Sequence, residues 1–169
     1  MMEHRQIIDW AIEATQELLQ KQENVKETDI RDRIIEKFNS KKQKDYTCDK
    51  EHENRSDLIV YRKGKPCLIY EFKKYFNPIR KSAIAEIKED FGKLHNAHQT
   101  HPSCKTYFVL VSTSFYIEDA KIEGMENFMD LSIGINKIFK LNYIGKIIHL
   151  HNRKRAILPD FCVLSWEIK

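Results

Sequence analysis

The sequence predicts an α/β domain in which helices flank a mixed central sheet. Three observations carry this expectation. Residues 4–21 and 25–38 repeat their apolar side chains at helical spacing. The stretches "SDLIVY" (56–61), "PCLIYEF" (66–72) and "KTYFVLVS" (105–112) are nearly continuous apolar runs of strand length. A long helical pattern, about 78–97, lies between the second and third of these runs. Strand, helix and strand in that order form a crossover to a parallel strand, right-handed by the general rule. At 169 residues the chain fits a single domain with a real core.

Each element has its own signal. Ile7, Ile8, Ala11, Ile12, Leu18 and Leu19 form one stripe of the first helix. Asn24 followed by Glu27 reads as a cap and its third-position partner for the second helix. Residues 41–54 are polar and read as a short strand or a loop. "RKGK" (62–65) separates two strands and reads as a hairpin turn. Pro78 opens the third helix, whose inward face carries Ile79, Ala83, Ile84, Ile87, Phe91 and Leu94. Residues 117–130 read as a further helix, and "KIFKLNYIGKIIHLH" and "FCVLSWEI" as hairpin-like strands. The expected core spans about 25–112, with a β-rich extension over about 131–169.

Composition narrows the class. Charged residues make up 32% and hydrophobic ones 41%, as in ordinary soluble domains. No apolar run reaches the ~18 residues of a membrane span. The N-terminal stretch lacks the basic, apolar, small-residue order of a signal peptide. Cys48, Cys67, Cys104 and Cys162 form no CxxC pair. Reduced thiols in a cytoplasmic protein are therefore expected. Net charge is +4, unevenly spread: residues 1–40 hold 6 Lys/Arg and 9 Asp/Glu, and residues 41–169 hold 23 and 16. The basic excess gathers at Arg62, Lys63 and Lys65, at Lys73 and Lys74, at Arg80 and Lys81, and at Arg153, Lys154 and Arg155. Such a side suits a polyanion partner or serves only as solubilising charge.

The hairpin poses a problem of its own. "IYEFKKY" (69–75) sets Glu71 and Lys73 on one face of a strand that should be buried. A turn centred on Gly64 sets Asp57 directly opposite Glu71, β-carbons roughly 4.5–5.5 Å apart. Leu58, Val60, Leu68, Tyr70 and Phe72 take the other face, while Ile59, Tyr61, Cys67 and Ile69 share that of the charged trio. Opposed carboxylates repel, more so when buried, and a divalent cation would offset them. Magnesium takes one or two carboxylates with waters and phosphate, and a neighbouring lysine can serve the water or the phosphate. The competing reading is a charged strand end in which Lys73 pairs with Glu71 or Asp57.

These residues resemble the PD-(D/E)xK nuclease superfamily, of restriction-endonuclease-like fold. Its motif appears as Ser56-Asp57 on one strand and Glu71-Phe72-Lys73 on the next, with Ser56 in the place of the usual proline. "KETDIRDRIIEKF" followed by "SDLIVYRKGKPCLIYEFKKYFNP" is similar to the nuclease domain of type I restriction enzyme motor subunits. No motor follows in this sequence, so the resemblance is to the nuclease module. It covers roughly residues 25–112. It implies magnesium-dependent hydrolysis of phosphodiesters, manganese substituting, with DNA as the expected substrate. Asp57 and Glu71 would bind metal, and Lys73 would act on the water or phosphate. The family often adds a helical glutamate. Periodicity favours Glu27, on the stripe of Ile30, Ile34 and Phe38, over Glu36 on the solvated side. Glu27 is equally the partner of an Asn24 cap. The glutamine that many members carry in the next helix is absent from "AIAEIKEDFGKL". Glu86, Lys88 and Asp90 stand there instead, and that auxiliary role is unassigned. The alternative function is a catalytically idle nuclease fold that binds nucleic acid or a partner protein. A homodimer or a targeting partner is compatible with so small a chain.

Other constellations are weaker. His95, His98 and His101 stand three apart, but a helix end near Asn96 takes His101 off a shared face. "HLH" (149–151) puts two histidines on one strand face. Tyr75 and Phe76 beside the lysines could stack on bases or serve as hinge aromatics. The five glycines form neither a GxGxxG nor a P-loop, and no GxSxG elbow occurs.

Overall fold

The computed structural model describes residues 3–21, 24–41, 43–50, 56–75, 81–113, 142–148 and 161–168. Its elements are α1 (His4–Lys21), α2 (Glu27–Ser40), β1 (Tyr46–Asp49), β2 (Leu58–Arg62), β3 (Lys65–Tyr75), α3 (Lys81–Thr100), β4 (Lys105–Thr113), β5 (Asn142–Ile148) and β6 (Phe161–Ile168). The six strands form one mixed sheet in the order β1-β2-β3-β4-β6-β5. β3 and β4 are parallel, joined across α3, and every other neighbouring pair is antiparallel. The expected α/β architecture and crossover are present. The helix expected over 117–130, Pro78, Ile79 and the histidines at 149 and 151 lie outside the described residues.

Apolar side chains alternate along interior strands, so both faces of the sheet need cover. α1 and α2 cover one face. Their Ile7, Trp10, Leu18 and Phe38 pack with Tyr70, Phe72 and Val109. α3 covers the other with Ile87, Phe91, Leu94 and Ala97, packed on Ile69, Phe108 and Trp166. β6 slots between β4 and β5 and feeds both cores, Val163 to one and Leu164 to the other. α1 is further tied down by His4. Its ring stacks on Tyr107 at 3.7 Å, and its nitrogens meet Tyr70 Oη at 3.2 Å and Ser165 Oγ at 3.0 Å. Burial, then the nearby Lys105 charge, pull the His4 pKa down to about 4, so the imidazole is neutral here. Among the described residues no helix is long and apolar enough to cross a membrane.

The hairpin departs from expectation in one instructive way. Its turn is centred between Lys63 (φ 50) and Gly64 (φ 77), with Arg62 paired to Lys65 and Tyr61 to Pro66. Positive φ at both central residues marks a type I′ turn. From there the register shifts, and Val60 faces Leu68. Cys67 is the extra residue of a β-bulge, next to Pro66, which has no N–H to lend to the ladder. Its Sγ lies 3.2 Å from the Val60 carbonyl, and it packs against the α1/α2 core rather than on the expected face. Beyond the bulge Leu58 faces Tyr70, so the next position puts Asp57 opposite Glu71. The expected juxtaposition therefore holds, but through a two-residue turn plus a bulge rather than a turn centred on Gly64.

A methyl group added at Gly64 would meet open space, so only the backbone conformation there resists substitution. Gly64→Ala should cost about 1 kcal/mol, seen as a fall in Tm of roughly 2–4 °C in a thermal melt.

Candidate active site

β3 outruns β2. The last paired residue of β2 is Leu58, opposite Tyr70, while β3 continues to Tyr75 along β4. The N–H groups of Phe72 and Lys74 on the β2 side thus lack a strand to donate to, and such donors must be satisfied. Asp57 Oδ2 accepts from Phe72 N–H at 2.8 Å, and Glu27 Oε2 from Lys74 N–H at 3.0 Å. Two carboxylates from outside the strand are so fixed by its backbone. Glu27 is available because it is not the cap partner of Asn24. The N-cap is Lys26, whose N–H donates to Asp29 Oδ2 at 2.9 Å.

On the α3 face of β3, Glu71 is only 3% exposed. Burial first, then the charges of Asp57 and Asp90, push its pKa up to about 9, against a smaller opposing pull from Lys93. Burial and its acidic neighbours thus favour the neutral form of Glu71 in the metal-free protein. Its Oε1 has no hydrogen-bond partner. Lys73 follows on the same face. Its Nζ lies 3.1 Å from Asp90 Oδ2, without hydrogen-bond alignment, and 3.8 Å from Glu27 Oε1. Burial disfavours the Lys73 ammonium, but Glu27 and Asp90 outweigh it and raise its pKa. Burial likewise raises the Glu27 carboxyl, against the pull of Lys73.

Three residues enter the cluster that the sequence alone does not assign to it. Asp90 of α3 is almost wholly buried and takes Lys93 Nζ on Oδ1 at 2.7 Å. Arg31 of α2, also buried, places Nη1 3.9 Å from Asp57 Oδ1 and Nε 3.2 Å from Asp32 Oδ1. A signal for Asp90 existed: it shares the buried stripe of Ile87, Phe91 and Leu94, where an acid needs a reason. Arg31 stands one turn after Glu27, so the helix delivers both to one end of the sheet.

The expected basic residues scatter. Lys74 turns to the other side and donates to the Val25 carbonyl at 2.6 Å. Arg62, Lys63 and Lys65 are exposed at the hairpin turn, about 20 Å along β3 from Glu71 at strand rise. They do not flank the acidic cluster. Arg80 and Arg153, Lys154 and Arg155 lie outside the described residues, as does the side chain of Lys81. His98 Nδ1 meets the Cys104 carbonyl at 3.1 Å, and Glu36 is paired with Arg33 on the surface.

Asp57 and Glu71, which face each other beyond the Leu58–Tyr70 pair, would be the oxygen donors for a cation here. Among the described residues no set of three His, Cys, Asp or Glu side chains has metal-holding geometry. A magnesium ion needs only one or two protein carboxylates. The donor chemistry and the unpartnered Glu71 Oε1 fit such an ion.

Glu71 makes a pH prediction. Its folded pKa lies above its unfolded value, so the stability it contributes is complete below pH ~4.5 and is lost as pH rises through about 9. His4 works oppositely but only below its ordinary value near 6.5. Between pH 7 and 9, in EDTA, the protein should lose up to about 1.4 kcal/mol per pH unit. Glu71→Gln should flatten that slope in a series of thermal melts. An unchanged slope would show that Glu71 is already ionised.

The family model for the type I restriction enzyme R protein N terminus matches residues 3–123. No curated protein and no solved structure matches the chain. The matched segment runs from α1 past β4 and contains Glu27, Arg31, Asp57, Glu71, Lys73, Asp90 and Lys93. With most of its length in that match, the chain belongs to the family of the type I restriction enzyme R protein N terminus.

Proposed function

We propose that this chain is a magnesium-dependent nuclease of the PD-(D/E)xK type, of restriction-endonuclease-like fold, that hydrolyses DNA phosphodiesters. The observation that carries the reading is Glu71: buried, facing Asp57, with one oxygen unpartnered and Lys73 next on the same face. Asp57 and Glu71 would hold the divalent cation, manganese substituting for magnesium. The ion would supply charge neutralisation at the phosphate and an acidified water. Loading it requires Glu71 to give up its proton, so metal affinity rises with pH.

Lys73 has a narrower role than the sequence left open. Its reinforced positive charge suits it to stabilise the phosphate as negative charge builds, not to take a proton from water. Glu27 and Asp90 hold its ammonium in place. Glu27 also keeps the end of β3 in register with α2, through Lys74 N–H. It acts as a positioning residue.

Two measurements test this. Supercoiled plasmid DNA should be cut in Mg2+ or Mn2+ and left intact in EDTA, and Lys73→Ala should slow cutting by about 10²–10³-fold while remaining folded. Mg2+ should raise the Tm of the wild type and not of Asp57→Ala. An equal metal shift in both proteins removes the assigned ligands. Binding of DNA without cutting in either metal selects the second reading, an idle nuclease fold that binds nucleic acid.

A further inference from the structure

The Lys73–Asp90–Lys93 cluster holds one cation more than the nuclease reading uses. Asp90 is the acid of the cluster, with a side chain 3% exposed, and a carboxylate so buried needs a charged partner. Lys73 supplies one on Oδ2. Lys93 adds a second on Oδ1 at 2.7 Å, from one turn further along α3. Its side chain is 34% exposed, so part of it reaches solvent beside the buried acid.

We propose that Lys93 is a phosphate-binding residue of the site, held beside Lys73 by Asp90, and that it contacts the DNA backbone. The inference rests on the nuclease reading for the identity of its ligand. An ammonium carries three donors, and Asp90 engages it from the inner side. The Lys93 side chain is partly open to solvent, so a phosphate brought to the Asp57–Glu71–Lys73 centre can meet it. A lysine already fixed by a buried partner gives up less rotamer freedom when it takes a phosphate than a free surface lysine does. The hairpin cations at 62–65 lack both properties, since they are exposed and at the far end of β3. Asp90 is a positioning residue in this scheme. It sets two ammonium groups at one site and touches no substrate.

The competing account is that Lys93 only neutralises Asp90. A double variant, Asp90→Asn with Lys93→Gln, separates the two, because it removes the carboxylate that Lys93 would neutralise while Glu27 still pairs with Lys73. Affinity for a fluorescein-labelled DNA duplex of about 20 base pairs is measured against salt, with Ca2+ in place of Mg2+. Lys93→Gln should lower the slope of log affinity against log salt by about 0.9, the loss of one phosphate contact, and weaken binding several-fold at low salt. The double variant should recover wild-type Tm and keep the same deficit in slope. Wild-type slopes in both variants overturn the proposal, and so does failure of the wild type to bind the duplex at low salt. Failure of the nuclease reading looks different: plasmid stays uncut in Mg2+ and Mn2+ while the Lys93-dependent slope persists. In that case the phosphate contact stands and hydrolysis does not.

Discussion

A two-residue turn and a one-residue bulge offset each other in the β2–β3 hairpin, and the acidic end of the sheet depends on their combination. The type I′ turn alone would set Asp57 opposite Tyr70. Because strand side chains alternate, Glu71 would then point to the face away from Asp57. The bulge at Cys67 adds the missing residue, and the two carboxylates meet. Pro66 and Cys67 stand about 13–17 Å from Glu71 at strand rise, yet they decide which face it takes. Local backbone irregularity at one end of a strand is thus converted into chemistry at the other.

Charge is balanced there across three layers. α2 contributes Glu27 and Arg31, the sheet contributes Asp57, Glu71 and Lys73, and α3 contributes Asp90 and Lys93. Most of these groups are partly or wholly out of water, where isolated charges are costly. Ion pairs cover most of them, while burial and the neighbouring acids push Glu71 toward its neutral form.

Much of this was legible in the chain. The stripe of α1 gave its limits, His4 to Lys21, without adjustment. The apolar runs gave β2, β3 and β4, and the helix between the last two gave their parallel pairing. Asp57, Glu71 and Lys73 were legible because period two fixes the faces within each strand, and a turn centred on Gly64 has the same net register as the actual turn plus bulge. What failed was either a competition between equivalent local signals or a non-local choice. Asn24–Glu27 and Lys26–Asp29 both have capping spacing; the second forms, and Glu27 instead accepts from the Lys74 N–H. Cys67 carries no mark that makes it a bulge apart from the proline before it. That β6 sits beside β4, inside β5, is a pairing between segments some fifty residues apart, which no local pattern encodes. Asp90 was visible as an acid on an apolar stripe, but its partners come from another element.

The overhang of β3 has one more consequence. A strand running past its neighbour presents a row of open donors and acceptors, the kind of edge on which a second molecule can build sheet. Here the gap is stoppered by Asp57 and Glu27, acids that cannot be replaced by an incoming strand without losing two charge-assisted hydrogen bonds. The same side chains that form the acidic cluster thus cover the open donors of this edge. Both acids therefore serve the backbone of β3 as well as the charged cluster, and losing either would leave an N–H of that edge without its carboxylate.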